Sequence, residues 1–232
     1  MLIPKTLTGG MVGFDTDTKL TECMACAMRA KGYAFAIRYL PIGPDPVPGD
    51  LDRKEMLAIT SAGLILLAVQ HVRFPGWRPT ATLGMSDGQN AVTHALNAGL
   101  IADVTIANDL EGVQSPYVSQ SIIDYLEAWY DQVRRPSYLP MQYVGANCGL
   151  TGEQLWDLSV TRYWKSLSED VPNVPNRGYC MVQSYHAPEP MPDGSSLSID
   201  YNVVHVDNLG GLPVGMIDDA AYQEAENLYA VE

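Results

Sequence analysis

The sequence predicts a single α/β domain over residues 1–232, folded as a closed (β/α)8 TIM-type barrel with irregular crossovers in its C-terminal half. Three observations carry that expectation. The chain has 232 residues, 47% of them hydrophobic and 18% charged, enough apolar material for one large core. Apolar runs of strand length alternate with helical patterns from end to end, the order that builds a parallel sheet with covered faces. No strand leads into a G-x-G-x-x-G or G-x-x-x-x-G-K-[ST] loop, so the open doubly wound sheet, the other outcome of such alternation, lacks its nucleotide-binding signature.

The elements follow in order. The first strand falls at 10–14 and a helix at 19–30. β-Branched and aromatic residues place the second strand at 33–39, helical spacing resumes over 51–62, and the nearly continuous apolar run 64–72 makes the third strand. Ser86 is a candidate N-cap for a helix ending near 98, and the fourth strand spans 103–110. The fourth helix is the clearest: Val118, Ile122, Leu126, Trp129 and Val133 recur at three- and four-residue spacing behind Ser115-Pro116, and Pro136 ends it. Strand five falls at 139–146, a short helix at 151–158, strand six at 159–164, and strands seven and eight at 178–185 and 197–206. The segments 165–177 and 187–196 are rich in Pro or Gly, hence the irregular crossovers.

Lys and Arg total 14 against 27 Asp and Glu, a formal charge of −13, and no stretch gathers basic residues into a patch, which excludes nucleic acid as a partner. The longest apolar run, 62–72, is of strand length and carries Gln70 and His71, so no membrane insertion is expected. Residues 1–13 are broken by Pro4, Thr6 and Thr8 and lack the apolar middle of a secretory signal, which reads as a protein made in the cytoplasm without a signal peptide. Cys23 and Cys26 form a C-x-x-C, but zinc would need a second pair at matching spacing, and Cys148 and Cys180 stand far apart. All four are expected to be buried structural thiols.

Barrels of this kind carry their chemistry at the C-terminal ends of the strands. Asp15 closes the first strand, Asp109 and Glu111 the fourth, and Asp200 lies in the eighth. Strand alternation points Asp109 and Glu111 to one face while Leu110 points to the other. Two crowded carboxyls cannot both ionise freely, so one has its pKa raised, and a short motif then supplies both an acid and a base. That suits proton donation to an acetal oxygen beside a carboxylate that faces developing positive charge. A lone strand-end acid more simply pairs with arginine or caps a helix; four at ends that a barrel brings together argue for a site.

Tyr143, Trp164 and Tyr185, near the ends of the fifth, sixth and seventh strands, offer flat surfaces for sugar rings. Arg38 ends the second strand and either joins the acidic cluster or makes a structural salt bridge. His71 and His186 end the third and seventh strands. No H-E-x-x-H spacing supports a metal hydrolase, and a metal-dependent deacetylase stays open only through His71 or His186 meeting Asp15. Without a G-x-S-x-G, and with no base near Cys148 in sequence, nucleophilic Ser or Cys catalysis has no support, and no cofactor is expected.

Gly13-Phe14-Asp15, Asp109-x-Glu111 and Ile199-Asp200-Tyr201-Asn202 together resemble the glycoside hydrolase family 25 lysozymes and related glycoside-hydrolase-like domains of unknown function. Further echoes are the run from Gly32 to Tyr39, Gln142-Tyr143-Val144-Gly145, Tyr163-Trp164 and Val182-Gln183-Ser184-Tyr185, so the resemblance covers nearly the whole chain. It implies a retaining muramidase that cleaves the β-1,4 bond between N-acetylmuramic acid and N-acetylglucosamine in peptidoglycan. Glu111 would be the proton donor. Asp109 would orient the substrate's 2-acetamido group or act on the oxocarbenium-like centre, and Asp15 and Asp200 would complete the acidic ring. Arg38 would meet the substrate's lactyl carboxylate if it faces the mouth. The unknown-function relatives often carry Asp where Glu111 stands; the longer Glu reaches a glycosidic oxygen. The implied partner is a glycan strand of the bacterial wall or periplasm, reached by non-classical delivery as for a phage lysin or secreted effector, with a delivery or immunity partner. The alternative is a catalytically inert carbohydrate-binding or structural barrel module, which has no reason to keep two repelling carboxylates in one mouth.

Overall fold

In the computed structural model, which describes residues 1–229, the chain runs β1 (Leu2–Thr6), β2 (Val12–Asp15), α1 (Glu22–Ala30), β3 (Phe35–Leu40), α2 (Arg53–Ser61), β4 (Ile65–Gln70), α3 (Ala81–Ala98), β5 (Thr105–Leu110), α4 (Ser119–Arg134), β6 (Leu139–Val144), α5 (Gly152–Trp156), β7 (Tyr163–Lys165), β8 (Met181–Pro190), β9 (Ser196–Val204), β10 (Val214–Asp218) and α6 (Asp219–Tyr229). Strands β2 to β9 are hydrogen-bonded into a ring, with β4 beside β5 and β9 beside β2, so the barrel closes. These are the eight strands expected from the sequence.

Strand alternation divides the apolar residues between two cores. Phe35, Ile37, Ile65, Leu67, Val69, Ala107, Met141, Trp164, Met181 and Val204 fill the barrel. Their neighbours Ala36, Leu66, Ala68, Ile106, Leu110 and Val144 face outward against Met28, Ile59, Leu126 and Trp129 of the helices. Each large aliphatic chain so buried contributes about 1.5–3 kcal/mol. Gly13 belongs to this packing: a Cβ there would lie inside the Phe35 ring. The apolar filling stops one layer short of the strands' C-terminal ends, where the next inward positions are Asp15, Tyr39, Asp109, Tyr143, Gln183 and Asn202.

Several expectations are corrected. β9 runs antiparallel to both β8 and β2, so the barrel is not all-parallel. The segment 187–196 is no crossover. Residues 187–190 extend β8, and Pro190 pairs with Ser196 across a short turn. A parallel return needs about a dozen residues, and so short a connection leaves only a hairpin. β1 and β10, unanticipated, form an antiparallel ribbon at the opposite end, where Met216 pairs with Leu66 and the Val214 N–H donates to Thr105 Oγ1 at 2.9 Å. α3 starts at Ala81 with Thr80, not Ser86, as its cap, and α4 starts at Ser119 without a side-chain cap. Cys148 and Cys180 are buried, but Cys23 and Cys26 are exposed on α1.

Candidate active site

Asp15 is enclosed at the end of β2. Tyr39 Oη donates to its Oδ1 at 3.0 Å, and Asn202 Nδ2 and Gln183 Nε2 donate to its Oδ2 at 2.7 and 3.0 Å. Burial pushes its pKa up to about 6, with the charge of Asp200 adding and the three donors opposing. Trp164 Nε1 in turn donates to Asn202 Oδ1 at 2.8 Å, so the clamp is anchored in the barrel core.

Asp109, two strands further round the ring from the Tyr39 strand, is treated differently. It is 9% exposed, and its Oδ1 has no hydrogen-bond partner. Burial first, then the charges of Glu111 and Asp15, hold its pKa well above the ordinary carboxylate range. Glu111 takes the next inward position and is half-buried, and burial raises its pKa as well. Trp77 Nε1 donates to the Glu111 carbonyl at 2.9 Å and fixes that end of the backbone. Gly145, at the end of β6, makes the space for the side chain: a Cβ there would stand 2.6 Å from Glu111 Cβ.

Tyr143 closes the cluster. Its Oη donates to Gln183 Oε1 at 3.1 Å, and its ring meets Trp164 edge-on at 4.6 Å. Its hydroxyl pKa is raised by burial and then by Asp109, Glu111 and Asp15, so one phenol feels all three acids. Asp200 pairs with Asp15 in the β2–β9 register and lies at the rim, where Oδ1 meets His186 Nδ1 at 2.9 Å. The four acids named from the sequence thus gather at one mouth.

His71 also reaches the rim. It stacks on Tyr39, ring centroids 4.6 Å apart, and its Nε2 lies 3.1 Å from Asp50 Oδ1. Burial lowers its pKa although Asp50 works the other way. Beyond it opens a groove of about 550 Å³ lined by Ile42, Val47, Phe74 and Pro75. Three other residues do not stand where a sugar wall would need them. Arg38 is fully buried on the outer face of β3; its Nε donates to Glu55 Oε1 at 2.6 Å and its other nitrogens to the carbonyls of Thr16 and Gly49. With Phe35, Ile37 and Tyr39 inward, alternation forces Arg38 outward. Trp164 points inward but is 1% exposed, the floor beneath Tyr143 and Asn202. Tyr185 lies on the outer face of the hairpin, stacked on Tyr201 at 4.6 Å. A bulge between Gln183 and Tyr185 turns it there.

Neither His71 nor His186 meets Asp15. Among the described residues no group of three His, Cys, Asp or Glu side chains is placed to hold a metal ion, and no helix is long and apolar enough to cross a membrane. Tyr39, Gln183, Asn202 and Gly145 were given no role from sequence. Their signal was polar or missing side chains at inward positions of otherwise apolar strands.

The barrel gathers its carboxylates at the C-terminal mouth of its parallel strands, the end at which barrels of this kind hold their chemistry. A family model described as "Rv2525c-like, glycoside hydrolase-like domain" matches residues 26–204, and the chain belongs to that family. The match includes Asp109, Glu111 and Asp200; Asp15 lies before it and joins the group through the fold. The Tat-secreted protein Rv2525c of Mycobacterium tuberculosis, solved with L-tartrate, superposes with a TM-score of 0.62 at 16% identity over 85% of this chain and 96% of its own. An uncharacterized B. stearothermophilus protein gives 0.62 at 19% identity, covering 88% and 100%. The bacterial lysozyme of Streptomyces coelicolor gives 0.57 at 16%, covering 85% and 93%. At these identities the likeness is one of fold. No curated protein sequence matches the chain.

Proposed function

We propose that the protein is a peptidoglycan-directed glycosidase of the muramidase type, with Glu111 as general acid and Asp109 as its partner. The observation that supports this is the pair itself: two carboxyls on one inward face, both with raised pKa, and an Oδ1 of Asp109 without a partner. Crowding of Asp15, Asp109 and Glu111 favours retention of a proton over full ionisation of the cluster. Glu111 is the more exposed of Asp109 and Glu111, and it delivers that proton to the glycosidic oxygen as the C1–O bond breaks. Asp109 Oδ1 accepts the N–H of the 2-acetamido group and directs its carbonyl oxygen onto C1, so a C1–O bond forms on the face opposite the departing sugar. Water then attacks C1 from the face the leaving group vacated, breaks that bond to restore the acetamido group, and gives its proton to the Glu111 carboxylate, so configuration is retained. Tyr143 and His71 border the sugar, and the groove beyond His71 takes the neighbouring unit.

The depth of Asp15 and Asp109 favours a second reading, a barrel that holds glycan without cutting it. One experiment separates the two: purified peptidoglycan is digested with wild type and Glu111→Gln, and fragments are analysed by mass spectrometry. Muramic-acid reducing ends from wild type, reduced about 10²–10⁴-fold in the variant, are expected. Equal release by both proteins removes Glu111 as the acid. Sedimentation of both with the wall and release by neither makes the barrel a binding module.

A further inference from the structure

The β8–β9 hairpin carries an arrangement that neither the fold nor the acid cluster requires. His186 Nδ1 lies 2.9 Å from Asp200 Oδ1, and His186 Nε2 lies 3.1 Å from Ser198 Oγ. When the Nδ1 proton is donated to Asp200, Nε2 is left as acceptor for the Ser198 hydroxyl proton, and one tautomer satisfies all three groups. We infer that Ser198, His186 and Asp200 form a nucleophilic triad for the hydrolysis of carboxylic esters at the rim of the barrel mouth.

The backbone explains how the three meet. Ser198 and Asp200 stand two apart on β9 and share a face. His186 pairs directly with Asp200 because the bulge after Gln183 shifts the register by one; without it Tyr185 would take that place and His186 would point to the outer face. The strand is held at the nucleophile by Thr16, itself buried, whose Oγ1 donates to the Ser198 carbonyl at 2.7 Å. Ser198 and His186 are both exposed, so an ester can reach them from solvent. No sequence motif announces the site, because its base precedes its nucleophile by twelve residues across a hairpin.

In the reaction, Ser198 Oγ attacks the ester carbonyl carbon as its proton passes to His186 Nε2. The tetrahedral adduct expels the alkoxide, which takes that proton and leaves as an alcohol. Water, deprotonated by the same nitrogen, then attacks the acyl-serine and releases a carboxylic acid and free Ser198. Esters are the fitting class because an alkoxide leaves the tetrahedral adduct far more readily than an amide nitrogen, which must be protonated by the histidine before it can depart. Asp200 lies close enough to Asp15 to raise its pKa, so an O-acyl group on a sugar bound in the mouth is the natural candidate; that refinement rests on the glycosidase reading, whereas the triad does not.

The test uses the whole protein with a fluorophosphonate probe and with p-nitrophenyl acetate, neither of which needs glycan. Peptide mapping is expected to find the phosphonyl adduct on Ser198 in wild type and to lose it in Ser198→Ala and His186→Ala. Ester turnover is expected to fall about 100-fold in both variants, with thermal denaturation confirming that each is folded. An adduct formed equally in His186→Ala, no adduct on Ser198, or turnover unchanged in Ser198→Ala would overturn the triad. Peptidoglycan cleavage, measured separately on the same samples, reports on the glycosidase reading alone.

Discussion

The outer and inner faces of the barrel wall treat buried charge in opposite ways. Outside, buried carboxylates meet arginines: Glu55 with Arg38 between β3 and α2, Asp87 with Arg73 above β4, and Asp207 with Arg177 near β7. Inside, the hydrogen-bond partners of Asp15 are neutral, Asp109 Oδ1 has none, and the charges that reach both are other carboxylates. Pairing ties a helix to the sheet, and its removal leaves a stranded charge. Crowding of like charges costs stability, and in the glycosidase proposed above the proton held by the cluster offsets that cost.

Breaking the outer arrangement should give the largest effect. Arg38→Met strands Glu55 in a layer where both side chains are 0% exposed, and a loss of about 3–5 kcal/mol is expected in urea denaturation. Asp109→Asn, on the inner face, should do the reverse and raise stability at neutral pH while abolishing glycan cleavage. The pH dependence sharpens the contrast. A carboxyl whose folded pKa exceeds its unfolded value binds its proton more tightly in the native state. Its contribution is complete below about pH 4 and lost as pH rises through the folded value. For Asp15, held near 6 rather than 3.8, the loss is about 3 kcal/mol by neutral pH. Wild type should therefore lose stability between pH 4 and pH 7, and Asp109→Asn should flatten that slope by removing a second raised carboxyl. The smallest effect is expected for Tyr185→Ala, which unstacks Tyr201 for about 0.5–1.5 kcal/mol and leaves glycan cleavage unchanged because the ring lies outside the mouth.

Much of this was legible in the residues. Alternation alone put Asp109 and Glu111 on one face, and the same rule applied to Phe35, Ile37 and Tyr39 shows Arg38 turned outward. The three- and four-residue spacing from Val118 to Val133 located α4 to within a residue or so. What was hidden depended on long-range pairing. The antiparallel return of β9 cannot be read from Pro188, Pro190 and Gly194, which suit a loop as well as a hairpin. The extra residue at Ser184 reverses the facing of Tyr185 and His186, and a bulge leaves no periodic signal. Gln183 and Asn202 carry polar groups at inward positions, but only the closed ring shows that both reach Asp15.

The mouth is expected to keep a proton on the Asp109 and Glu111 pair at neutral pH. That expectation is tested most directly by ¹³C NMR of protein labelled at the Asp and Glu carboxyl carbons, titrated from acid to pH 8 and assigned with Asp109→Asn and Glu111→Gln. Asp109 should remain protonated beyond the pH at which exposed aspartates ionise, and Glu111 should titrate above its ordinary 4.5. Independent ionisation of both near 4, with no shift of either when the other is replaced, would contradict it.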